Sequence, residues 1–123
     1  MVSEWTRETF DKAVREIVEL GLIDGALVEA RPFWNVPNSV VIGQVRESND
    51  PAIFFWIIAV EGVTDYVGSA AAATPREAAR HFSLKWQLDA SHSDDTLFAD
   101  RLVTRAEELY DMVENESLWQ QPG

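Results

Sequence analysis

The residues best able to do chemistry crowd into one stretch, TPREAARHFSLKWQLDA at 74–90, which carries Arg76, Arg80, His81, Lys85 and Trp86. His81 follows Glu77 by four residues and precedes Lys85 by four, so on a helix it could serve as a general base. The competing role is an i,i+4 partner of Glu77 on a solvated face. No second His or Ser stands at matching helical spacing to build a triad. Arg76 and Arg80, also four apart, fall near the positive end of the same helix, where a phosphate or carboxylate is favoured. Thr74 would already use one of the free N–H groups there, and Pro75 has none. Arg31, Phe33, Trp34 and Asn35 form a second cluster, with aromatic and polar side chains on a Pro-bounded loop suited to a ligand or a protein contact. Phe33 and Trp34 could equally plug the edge of the core. His92, Asp94 and Asp95 form an H-x-D-D cluster, but acids at a helix start are expected from the dipole alone, and a metal would need further ligands from elsewhere. No catalytic residue, metal ligand or cofactor is assigned. G-x-G-x-x-G, P-loop, G-x-S-x-G and H-E-x-x-H patterns are all absent.

These side chains need elements to hold them. Ser3 can cap a first helix, whose Phe10, Ala13, Val14, Ile17 and Val18 make one apolar stripe and which Gly21 ends. Asp24-Gly25 signals a turn, Ala26–Arg31 a short strand, and Pro32–Ser39 a loop. Val40–Arg46 and Ala52–Val60 read as strands around a hairpin loop at 47–51, followed by a turn at Glu61-Gly62 and a short fourth strand at Thr64–Val67. Thr74, Pro75 and Glu77 carry the signals of a capped helix start, and that helix should bury Ala78, Ala79, Phe82 and Trp86 to about Ala90. A third helix is expected from about Asp94 to Glu114, with Leu97, Phe98, Leu102, Val103, Ala106, Leu109, Tyr110 and Val113 on its apolar side. Leu118 and Trp119 should pin the tail, and Gln120–Gly123 should fray. The pattern predicts a single α+β domain over 1–123. Its small antiparallel sheet has three to four strands, with an N-terminal helix and two C-terminal helices packed on it.

AIFFWIIAV at 52–60 is apolar on both faces, unlike a half-exposed antiparallel strand. Something must cover both sides, either helices or a second copy, and in the second case Phe54, Trp56 and Ile58 would be interface residues.

Composition narrows the function. The 123-residue chain is 46% hydrophobic and has no cysteine, which excludes disulfides, thiolate zinc sites and a Cys nucleophile. Its net charge is -11. Residues 1–30 contribute -4, residues 31–88 are neutral, and residues 89–123, with nine acids and two bases, contribute -7. Phosphate backbones and anionic membranes both select Lys/Arg surfaces, so neither nucleic acid nor membrane is an expected partner. The first residues, MVSEWTRETFDK, lack the basic and apolar regions of a signal peptide, and a cytoplasmic location is expected.

From Phe54 onward, FWIIAVEGVTDYV, TPREAARHFSLKWQLDA and the closing amphipathic helix with Leu118-Trp119 resemble a small bacterial family of unknown function, numbered 4826. EWTRETFDKA near the start resembles it more loosely. ARPFWNVPNSVVIGQV departs from the family's pattern at the Pro32–Ser39 segment. The resemblance implies the α+β fold and no substrate, cofactor or catalytic residue.

The expected function is a non-catalytic protein-interaction module, which could be a homodimer. One alternative is a small-molecule or anion binder, or a minor enzyme, with a pocket between sheet and second helix. Arg31, Trp34, Asn35, Arg76, Arg80 and His81 are its candidate ligand-binding residues. The other is an acidic immunity-type or decoy protein for a basic partner.

Overall fold

The computed structural model describes residues 3–21, 28–47 and 50–120. The expected turn at Asp24-Gly25, the start of the first strand at Ala26, residues 48 and 49 of the expected 47–51 hairpin loop and the last three residues of the tail lie outside them, whereas Glu47, Asp50 and Pro51, expected in that loop, are strand. The described elements are a helix, four strands and two further helices, an α+β order. Contacts divide the chain into two compact units, Met1–Pro75 and Arg76–Gly123. Among the described residues, no helix is long and apolar enough to cross a membrane.

In the first unit, helix α1 (Glu4–Glu19) starts where Ser3 accepts the Thr6 N–H on its hydroxyl, an N-cap with Glu4 in the first turn. At its other end the Gly21 N–H reaches the Val18 carbonyl at 3.0 Å. Gly21 itself has φ 77°, a conformation that costs glycine little. The sheet runs β1 (Val28–Val36), β2 (Val40–Glu47), β3 (Asp50–Val60) and β4 (Val63–Gly68), in sequence order and antiparallel throughout. Short turns join β1 to β2 and β3 to β4, as that order allows. At the β1–β2 turn Asn38 takes φ 67°, a left-handed position Asn tolerates, and the Ser39 N–H closes the turn on Val36.

One face of the sheet packs on α1. Phe10, Ala13 and Ile17 meet Val41, Val45, Ile57 and Ala59, with Val14, Phe55 and Tyr66 at the margin. Gly43 lies on this face. A Cβ there would stand 2.5 Å from the Phe10 ring and also collide with the Arg31 carbonyl, so the missing side chain is what lets the ring lie on the strand. The opposite face carries Trp34, Val40, Ile42, Trp56 and Ile58, and these are buried as well. Trp56, 1% exposed, donates its indole N–H to the Ala72 carbonyl at 2.9 Å. The buried polar atom is thereby satisfied by the segment that follows β4. On β3, Trp56, Ile57, Ile58 and Ala59 are buried, whereas Phe54 and Phe55 are half-buried and Ile53 is exposed.

The segment 32–36, expected as part of a loop, is strand. β1 continues through Pro32 to Val36, with an irregularity in its register between Pro32 and Trp34. Proline has no N–H to donate, and edge strands and bulges are the places in a sheet that accept it. The loop expected over Pro32–Ser39 shrinks to the tight turn at its end.

In the second unit, α2 (Pro75–Ser91) starts on its proline and buries Ala78, Ala79, Phe82, Ser83, Trp86 and Ala90. The Ser83 hydroxyl donates to the Ala106 carbonyl at 3.1 Å, tying α2 to α3 (Thr96–Glu114) where small residues meet. Helix α3 begins two residues later than the pattern suggests. Asp95 is its N-cap, accepting the Phe98 N–H at 3.1 Å, and Ser93 bonds to the Asp95 backbone. Only half of the expected apolar side of α3 is buried: Leu102, Ala106, Leu109 and Val113 are inside, whereas Leu97, Phe98, Val103 and Tyr110 are exposed.

Candidate functional site

The two units each present a surface with chemistry. On the first, cross-strand register assembles side chains that are far apart in sequence. Arg31 pairs with Gln44, which pairs with Trp56. One step along, Glu29 pairs with Arg46, which pairs with Phe54. Paired residues share a face, so these two rows lie side by side. The irregularity after Pro32 adds Phe33 to the same face, next to Trp34: its ring meets Trp56 edge-on at 5.9 Å. Regular alternation would have put Phe33 and Trp34 on opposite faces.

The result is an open groove of about 450 Å³, lined by Glu29, Ala30, Arg31, Phe33, Gln44 and Arg46. Arg46 lies over the Phe54 ring, 5.3 Å from its centre, and donates to the Gln44 side-chain carbonyl. That bond leaves the amide nitrogen of Gln44 free to donate. Phe54 meets Trp56 edge-on at 6.0 Å, so the cation rests on a fixed aromatic set. Arg31 is exposed and forms no ion pair among the described residues.

Of the six residues expected to bind a ligand, Arg31 enters this groove. Trp34 is buried at its pairing with Ile42. Asn35 faces α1, where its side-chain oxygen accepts from the Thr6 hydroxyl at 3.2 Å. Thr6 in turn accepts from Ser3, so Asn35 extends the α1 cap into β1. Arg76, Arg80 and His81 belong to the second unit. Of the three suggested interface residues, Trp56 and Ile58 are buried and Phe54 is half-buried. Gln44 and Arg46 carry no sequence signal of a site, because only the register of β2 between β1 and β3 gives them their neighbours.

In the second unit Arg76 serves the end of α3. Its Nε and Nη2 donate to the Val113 carbonyl at 3.0 and 2.7 Å, and its Nη atoms hold the Glu116 carboxylate at 3.2 and 2.8 Å. Its guanidinium sits 5.9 Å from the centre of the Trp119 ring, and the Trp119 indole donates to Met112 at 2.8 Å. A cation at a helix C-terminus satisfies an orphan carbonyl and meets the negative end of the dipole. The hydrogen bond from Arg76, with its charge, holds the Glu116 carboxyl below the usual range, and the same bond pushes the Arg76 guanidinium up. Arg76 is thus occupied as a clip on the tail. Arg80 is exposed, His81 is half-buried against Phe82, and Lys85 pairs with Asp89 at 2.9 Å. His92 is exposed, and the Asp95 carboxylate beside it is engaged as the cap. No group of three or more His, Cys, Asp or Glu among the described residues could hold a metal.

The second unit also exposes apolar side chains on α2 and α3. Leu84 and Leu88, 56% and 57% exposed, are one turn apart on α2. Leu97, 79% exposed, and Phe98 follow across the short connection, and Val103 and Tyr110 are exposed two turns apart along α3. Asp94, Asp95, Asp100, Glu107, Glu108 and Asp111 are exposed on the same elements.

No curated protein and no solved structure matches this chain. One family model does, over residues 1–119, nearly the whole length, and by it the chain belongs to the family described as a domain of unknown function (DUF4826).

Proposed function

We propose that the chain is a non-catalytic interaction module whose contact surface is the acidic, partly apolar side of α2 and α3, and that its partner is a basic amphipathic protein segment. The observation that carries this reading is the exposure of Leu84, Leu88, Leu97, Phe98, Val103 and Tyr110 on helices lined with exposed carboxylates. Singly exposed apolar residues are ordinary, but among the described residues six of the nine large ones fall from 76 onward. An i,i+4 leucine pair is the kind of anchor that helix-on-helix recognition uses. Charge selects the partner: residues 89–123 carry nine acids against two bases, so a second copy would repel and a basic segment would be drawn in.

The first test is mass in solution by light scattering across a dilution series, where a monomer is expected throughout. The second is a titration of the labelled protein with a 14-residue Leu/Lys amphipathic peptide, followed by amide NMR. Shifts should concentrate on α2 and α3, weaken at least about tenfold in Leu84→Ser/Leu88→Ser, and weaken further with added salt. Peptide binding indifferent to that double substitution would sink the reading. A low-micromolar dimer dissolved by the same substitutions would replace the basic partner with a second copy.

A further inference from the structure

We propose that the groove on β1 and β2 is a second, independent binding site, for a small carboxylate carried on a flat apolar body. Arg31 and Arg46 are permanently charged, and the planar guanidinium fork matches a carboxylate in two hydrogen bonds. Arg46 is already placed: Phe54 lies beneath it at 5.3 Å, and Gln44 accepts from its end. With its oxygen taken by that bond, Gln44 offers a ligand its amide N–H donors. Little side-chain freedom remains to be lost when an anion arrives.

Phe33 supplies the flat surface. It is 44% exposed, yet Trp56 holds it edge-on at 5.9 Å, and the Ala72 carbonyl anchors Trp56. An exposed ring fixed by a buried one is a ready platform for stacking. The remaining lining charge sets the valence. Two arginines and Glu29 leave the groove one positive charge in excess, which a monoanion neutralises and a phosphate dianion exceeds. The backbone sets the size. Pro32 and the register break interrupt the edge of β1, so an extended peptide cannot add there as a strand, while a compact ligand fits a groove of about 450 Å³.

The test uses the full chain with its Arg and Gln side-chain N–H groups observed by NMR and benzoate as the probe. Saturable shifts at Arg31, Arg46 and Gln44 are expected. Acetate, which lacks the ring, should bind about five- to tenfold more weakly, as should benzoate to Phe33→Ala. Inorganic phosphate should bind more weakly than benzoate. Arg31→Gln, at an exposed position, should weaken benzoate by about tenfold or more, and Arg101→Gln on α3 should leave it unchanged. Amide spectra of each variant report that the fold is intact. The proposal is overturned by shifts that never saturate, by binding that survives Arg31→Gln, or by phosphate matching benzoate.

Discussion

The sheet unit and the helical unit treat their apolar residues in opposite ways. In the sheet, β3 is apolar on both sides and buries Trp56, Ile57, Ile58 and Ala59, down to an indole N–H satisfied by a backbone carbonyl. In the helices, α3 has an apolar side wider than its packing requires, and four of its large residues stay in water. Side-chain identity should therefore matter greatly at sheet positions and little on the outer helix faces. In the sheet unit, register arranges Arg31, Phe33 and Arg46 around a groove, and the exposed Leu20 and Ile53 lie outside its lining. On the helices, exposed apolar residues stand among exposed acids. The difference teaches that burial, rather than hydrophobicity, shows which apolar residues of this chain hold the fold.

The sharpest way to break this comparison is Trp56→Asp, which puts an unpaired carboxylate between sealed strands and should abolish folding, read by far-UV circular dichroism. A folded Trp56→Asp would mean that face is open. Gly43→Ala comes next. Its methyl must displace the Phe10 ring and the Arg31 carbonyl, and denaturant titration should show a loss of about 1–3 kcal/mol. Phe10→Leu in the same chain should recover part of it, a coupling expected of residues in contact. Leu88→Ser on the exposed side of α2 should change stability by no more than about 0.5 kcal/mol, and a larger loss would place Leu88 in a core. The smallest effect is local. The Glu116 carboxyl titrates below its unfolded value, so its contribution is complete above the ordinary carboxylate range and is lost as pH falls through the depressed folded value. Below about pH 4, Trp119 and the turn at Glu116–Leu118 should loosen first, seen as indole NMR shifts while the sheet amides hold.

Much of this architecture is legible in the residues. The stripe of α1, the apolar run of β3, and the Pro75 start and buried set of α2 follow from periodicity and capping alone. What resisted reading has physical causes. Pro32, Pro37 and two asparagines signal a loop, yet only Pro37–Ser39 turns, because an edge strand tolerates a proline in its ladder. The width of the α3 stripe records hydrophobicity, whereas burial depends on which half meets α2. Asn35 reads as a polar loop residue, but its partner is Thr6, 29 positions earlier. The groove is the least legible feature, since Arg31, Gln44 and Arg46 become neighbours through pairing across two strands. Sequence could find Arg31 and the aromatic Phe33 but not the company they keep.

The register break beside Pro32 has a consequence for how such a chain can change over generations. Phe33 is the extra residue that lets β1 run out of step with β2 for one position. Deleting it would restore an unbroken ladder, remove the floor of the groove, and leave Gly43, Phe10 and the rest of the packed face as they were. A single codon thus separates a chain with this pocket from one without it, and the pocket can be gained or discarded by descent while the scaffold persists.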